Sequence, residues 1–346
     1  MKKIVLLVVL LLAVVAGQTY GQGITDPTDI AIGAKFFSLG GSYAAQKGPW
    51  SLYANPAGLN TIEQPALNSM LTKRSENSSF FVLGEVFRTP IASMGIGTTL
   101  NTVSSGWVMT TDSLGNTVFS QVSFRNNAFI LGLADKLTDN VSWGINYKYY
   151  HRIFTGLTNE VYADGFNADL GLQLDLDKDF TLGLVYKNFM NTKIRWNNGT
   201  NEDLEKPLRV GFNYKNNKYS LTSDYDVSNQ TMHLGGSIKL SKILSINLGF
   251  DQEKVAVSST EVGTEGNLTF GLSFSSDGFI FDYCYHPYNN LNQNTTHYFS
   301  VTYELAEPAK DTNYIQFSNY KNKDRLYKNN IAIRGTTNVP SQQINR

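Results

Sequence analysis

Four histidines, a single cysteine and an alternating run of aspartates are the side chains from which any chemistry in this chain would have to be built. His151, His233, His286 and His297 are scattered, with neither a His-Glu-x-x-His spacing nor a Cys/His cluster, so no metal centre is expected. Asp175, Asp177 and Asp179 have the alternate spacing of a calcium loop but lack its glycine and distal glutamate, and read as turn residues between two strands. A hydrolase would need a serine partnered by histidine on one strand face; His233 shares its face only with Gly235 and Ser237. Cys284 stands alone, which excludes a disulfide framework, and nothing near it in sequence would activate a thiolate. No catalytic residue, cofactor or enzymatic activity is therefore expected.

The most structured motif is Asn55-Pro56-Ala57-Gly58-Leu59, preceded by Gly40-Gly41 within Leu39-Gly40-Gly41-Ser42-Tyr43. Pro56 fixes its own φ and restrains Asn55, the Asn55 amide can bond nearby backbone, and Gly58 permits a positive φ. Together these make a shaped turn; the functional alternative is a mobile hatch whose rearrangement opens a path.

What surrounds this motif says where it works. Met1-Lys2-Lys3 is a positive start, Ile4 to Ala16 is apolar, and Gly17 or Gly21 suits a cleavage site, so residues 1–21 read as a secretory leader. That run is too short for a spanning helix, and no later stretch approaches about 20 apolar residues. Insertion in a membrane would be by strands. A net charge of +0 argues against a nucleic-acid partner, while 19 Tyr, 20 Phe and 29 Gly suit membrane strands with aromatic girdles.

From about Ala66 the sequence has a period of two. Leu244, Ile246, Leu248 and Phe250 alternate with Ser245, Asn247, Gly249 and Asp251, and the pattern recurs in 162–174, 266–274 and 296–305. About fourteen such segments are predicted, with short turns (89–90, 135–140, 175–178, 215–217, 241–242, 275–277) alternating with longer polar loops such as 104–121, 189–206, 253–265 and 286–295. The expected fold is an all-β, transmembrane antiparallel barrel of residues 66–305, surrounded by outer-membrane lipid, with an N-terminal plug of residues 22–65 and both termini periplasmic. Lys148, Asp169, Arg209, Asp224, Lys239, Asp251 and Asp282 are expected to line a wet interior with Cys284 beside them, and Tyr147, Tyr149, Tyr150, Tyr283 and Tyr285 to form an aromatic belt. Residues 306–346 lose the alternation and read as a polar, locally basic tail.

The order of landmarks resembles the PorV/PorQ group of outer-membrane proteins, relatives of the FadL-like barrels. They are Gly33-Ala34, Gly40-Gly41-Ser42 and Asn55 to Leu59, then Gly165 to Gly171, Pro207 to Gly211 and the hairpin from Asp282 to His297. The chain departs from that group at Gln46-Lys47-Gly48-Pro49 and at Ala54. The resemblance implies two kinds of work. One is binding or shuttling secreted passenger proteins for a type IX-like secretion system, with Trp107, Trp196, His286 and Tyr288 as external-loop contacts and secretion-system subunits as partners. The other is FadL-like passage of a hydrophobic small molecule.

Overall fold

A computed structural model describes residues 26–73, 77–111, 114–156, 160–256, 262–287 and 296–305. The leader, the tail and Tyr288 lie outside the described residues. The chain opens with a 3₁₀ turn at Pro27–Ile30, the short helix α1 at Ala34–Ser38, and further 3₁₀ turns at Pro49–Leu52 and Pro56–Thr61. Strands follow: β1 (Ala66–Lys73), β2 (Ser78–Arg88), β3 (Ser93–Thr111), β4 (Thr117–Thr138), β5 (Val141–Thr155), β6 (Val161–Asp175), β7 (Phe180–Tyr186) and β8 (Lys193–Trp196). The second half holds β9 (Asn201–Asp203), β10 (Leu208–Lys215), β11 (Tyr219–Asp226), β12 (Thr231–Lys239), β13 (Leu244–Ala256), β14 (Val262–Ser276), β15 (Phe279–His286) and β16 (Thr296–Glu304).

Every pairing is antiparallel, and β1 pairs with both β2 and β16, so the sheet closes. β8 and β9 form a side hairpin, leaving fourteen strands in the ring, as the periodicity predicts. Closure leaves the fourteen ring strands without an edge, which is what lets strands cross a bilayer. The first and last strands end together: Leu305 N–H donates to Pro65 C=O at 2.8 Å, at the same end of the barrel as the tight turn that carries Gly278.

The two faces differ as the alternation requires. Outward positions carry exposed apolar side chains, among them Leu71, Leu83, Leu131, Leu248, Leu268 and Phe299, while inward neighbours such as Asn68, Thr72, Asn247 and Ser300 are buried and polar. An apolar belt of this extent without protein cover is a surface made for lipid. Among the described residues no helix is long and apolar enough to span a membrane.

Three expectations need correction. The interior is not simply water-lined: inward side chains from strands all round the ring bond to residues 26–65. Ala34 N–H and the Trp50 indole donate to Ser300 and Thr302 of β16 (3.1 and 2.9 Å). Asn146 of β5 donates to Leu52 C=O (2.8 Å), Gln173 of β6 to Gln46 C=O (2.8 Å), and Tyr53 hydroxyl to Leu83 C=O of β2 (2.7 Å). The loops expected at 104–121 and 253–265 are instead occupied largely by strand, because β3 and β4 run to Thr111 and from Thr117, and β13 and β14 to Ala256 and from Val262. Residues 189–206 contain β8 and β9. Beyond the lipid a strand needs no apolar outer face, so its alternation fades while its ladder continues. Finally, Tyr150 does not join the aromatic belt; it points inward and is buried, and Lys239 is exposed rather than interior.

Candidate functional site

The predicted turn at Asn55 is the anchor of the N-terminal segment. Asn55 caps the Pro56–Thr61 turn, its Oδ1 accepting from Ala57 N–H at 3.1 Å. Its Nδ2 faces three carbonyls: Ala44 at 2.5 Å, Leu184 of β7 at 3.2 Å and Leu172 of β6 at 3.3 Å. One buried side chain thus ties two parts of the segment to two wall strands. Leu59 and Ala57 are fully buried beside it. Gly58 does not adopt the positive φ expected of it; its requirement is space, since a Cβ there would lie 2.3 Å from Ser51 Oγ. Gly40 does combine both demands, with φ of 67° and a hypothetical Cβ 2.3 Å from Phe250 C=O. Beside it Gly41 has φ of 72° and presents its carbonyl to Arg209 Nη1 at 3.1 Å.

A second anchor lies at Asp26, which the sequence reading did not single out. Its Oδ2 accepts from Lys148 Nζ (2.6 Å), Tyr150 hydroxyl (2.6 Å) and Asn188 Nδ2 (3.1 Å), while Oδ1 accepts from Thr28 N–H (2.8 Å). Burial alone would raise this carboxyl, but Lys148 and Lys187 hold it below the usual carboxylate range. Lys148, fully buried, also meets Asp169 at 2.6 Å, and Lys187 reaches Asp29 at 2.8 Å and Tyr53 C=O at 3.1 Å. Asn188, with φ of 54°, is where β7 leaves regular strand geometry and turns its amide into this cluster. The only prior signal was Asp26-Pro27, a helix N-cap followed by proline.

A third set of contacts joins the segment to β11. Asp224 accepts from Ser42 hydroxyl (2.9 Å) and from the backbone N–H groups of Tyr43 (2.6 Å) and Ala44 (2.8 Å). The Tyr43 ring lies between cations, 4.6 Å from the Arg209 guanidinium and 5.0 Å from Lys187 Nζ.

Between this segment and the wall is a cavity of about 310 Å³, whose lining includes the apolar Ile30, Ile32, Phe37 and Tyr298 and the polar Glu205, Arg209, Asp226, His233, Asp251 and Glu253. β12 pairs with β13 only from Asp251 downward, whereas β13 continues to Ala256 against β14 alone. Burial, with Asp29, Asp226 and Asp26 adding repulsion, pushes the Glu205 carboxyl up to about 7.

The expected external contacts disperse. Trp107 is 72% exposed on β3. Trp196 sits on β8, half-buried and stacked on Phe154 at 5.7 Å, rather than in a free loop. His286 is a correction: it is fully buried at the end of β15, where Nε2 meets Asp251 Oδ2 at 2.9 Å. His297 faces the other way, 2.8 Å from the Tyr283 hydroxyl. Asp177 makes the expected turn, its Oδ1 accepting from Asp179 and Phe180 N–H at 2.7 and 2.9 Å. Cys284 is buried, as its face predicts.

Solved structures provide the comparison. The chain is similar to the CymD monoaromatic hydrocarbon channel, with a TM-score of 0.60, 12% identity, and 80% of this chain and 98% of that one covered. It has the FadL-like barrel fold. A toluene transporter of Ralstonia pickettii, TbuX, matches with a TM-score of 0.50 at 13% identity, over 79% of this chain and 98% of that one. A FadL homologue of Pseudomonas aeruginosa matches with 0.51 at 12% identity, over 82% of this chain and the whole of the other. No protein-family model and no curated protein matches the sequence. These neighbours are channels and transporters rather than enzymes, and none speaks for a secretion role.

Proposed function

We propose that this protein is a FadL-like outer-membrane barrel that passes hydrophobic small molecules, with residues 26–65 as its plug and both termini in the periplasm. One observation carries the reading: the whole barrel, with 98% or more of each neighbour covered, has the architecture of a hydrocarbon channel, a toluene transporter and a FadL homologue. The anchors of the segment fit it. Asn55, Asp26 and Asp224 hold residues 26–65 through polar contacts to one wall or another, so passage requires some of these to break while the lipid-facing surface stays unchanged. The apolar lining residues Ile30, Ile32, Phe37 and Tyr298 offer a hydrophobic body somewhere to rest beside the polar network.

The secretion reading is the second, favoured by a single feature. The β3–β4 hairpin carries Trp107, Met109, Leu114 and Phe119, each at least 70% exposed, a surface suited to a protein partner. Purification from native membranes in mild detergent separates the two. Mass spectrometry finding a stoichiometric hydrophobic compound supports transport; recovery of secreted proteins or translocon subunits, with no such compound, overturns it.

A further inference from the structure

The four histidines and the interior carboxylates are far apart in sequence, but the closed wall brings some of them together. Asp251 and Glu253 lie two apart on β13 and so face the same side. His286 arrives from the end of β15, across the intervening β14. One ligand atom from each of these three residues lies within 4.8 Å of the other two. The pair Asp251 Oδ2 and His286 Nε2, at 2.9 Å, already has a spacing compatible with two donors on one ion.

His233 of β12 completes the surroundings. Its Nδ1 is 2.6 Å from Asp251 Oδ1 and also 3.0 Å from Gly40 C=O. Only one proton can sit on that nitrogen, so the carbonyl and the carboxylate compete for it. Asp251 is only 5% exposed, and its two oxygens lie against His233 Nδ1 and His286 Nε2. A buried carboxylate costs free energy unless positive charge lies beside it.

The donor set narrows the ion. Calcium and magnesium favour oxygen throughout, whereas an imidazole with carboxylates suits zinc and its first-row neighbours. Asp251, Glu253 and His233 line the cavity described above, which gives an ion access. We propose that Asp251, Glu253 and His286 bind one divalent transition-metal ion, zinc by preference, and that His233 holds the Asp251 carboxylate in place. Because His233 also meets Gly40, the ion would brace the plug turn against β12, β13 and β15.

The test uses tag-free, full-length protein in detergent, stripped with chelator and titrated with zinc chloride alone, read by calorimetry and by elemental analysis after dialysis. The expected result is one zinc per chain. Glu253→Gln, at a partly buried position, and His286→Gln each weaken binding at least tenfold, and His233→Gln weakens it about 10- to 100-fold. Heat-modifiable gel migration identifies the folded barrel in every variant. Wild-type protein that takes up no zinc, or Glu253→Gln and His286→Gln proteins that bind zinc as the wild type does, would overturn the proposal.

Discussion

Replacing Asn55 by alanine should free the N-terminal segment without dissolving the wall. The substitution removes the acceptor of Ala57 N–H and the donor that serves the Ala44, Leu172 and Leu184 carbonyls, all in a fully buried setting. The two long contacts of Nδ2 contribute little, which leaves about two groups stranded, at about 1–3 kcal/mol each. A total of about 2–6 kcal/mol corresponds to a roughly 30- to 20,000-fold rise in the equilibrium for segment release. Asn55→Asp should be worse, because it sets a carboxylate against three carbonyl oxygens. Trypsin provides the assay, since Lys35 and Lys47 lie in the segment while the closed wall resists cleavage. If reclosing is fast relative to cutting, the rate of cleavage at those lysines follows the release equilibrium. Alanine and aspartate variants cleaved no faster than wild type, with gel migration still that of a folded barrel, would refute the role given to Asn55.

Three further outcomes follow from the same contacts. Lys148→Met strands the Asp26 and Asp169 carboxylates and should cost about 3–5 kcal/mol in urea unfolding from lipid vesicles, with part of that recovered in the Asp26→Asn/Lys148→Met double variant. Glu205 binds its proton more tightly folded than unfolded, because its carboxyl is raised to about 7 from an ordinary value of 4.5. Folded protein therefore holds more protons than unfolded protein in that window, so stability should fall as pH rises from about 4.5 to 7, and Glu205→Gln should flatten that part of the unfolding profile. Phe299→Arg places a charge on the lipid-facing surface beside Leu71 and should cost about 2–4 kcal/mol if it lies near the bilayer midplane, measured by the same unfolding assay.

The wall was legible because lipid imposes a rule on every second residue. Leu244 to Phe250 and Leu268 to Phe274 obey it, and the count of fourteen follows. The strand ends were not legible for the complementary reason: around Ser104 or Ser120 neither face is required to be apolar, yet the ladder between β3 and β4 continues. Polar inward residues such as Asn146, Gln173 and Asp224 could be read as facing the interior, but a side chain that bonds water and one that bonds backbone carry the same signature. Asn55 announced itself through Pro56. Asp26 and Lys148 are 122 residues apart, and only the closure of the barrel makes them partners. His286 misled because it stands next to a polar loop in sequence while its strand still directs it inward.

Uptake across a lipopolysaccharide-bearing outer membrane tests the transport claim most directly, since hydrophobic compounds cross plain phospholipid unaided. Ser42 and Thr222 hydroxyls lie 2.8 Å apart between segment and wall, so a Ser42→Cys/Thr222→Cys variant in a Cys284→Ser background provides a reversible lock. Cells carrying this variant should take up a labelled monoaromatic hydrocarbon or fatty acid at the wild-type rate when reduced, and at the rate of cells lacking the protein when oxidised. Equal uptake with and without the protein, while the folded barrel is present in the outer membrane, would contradict the account.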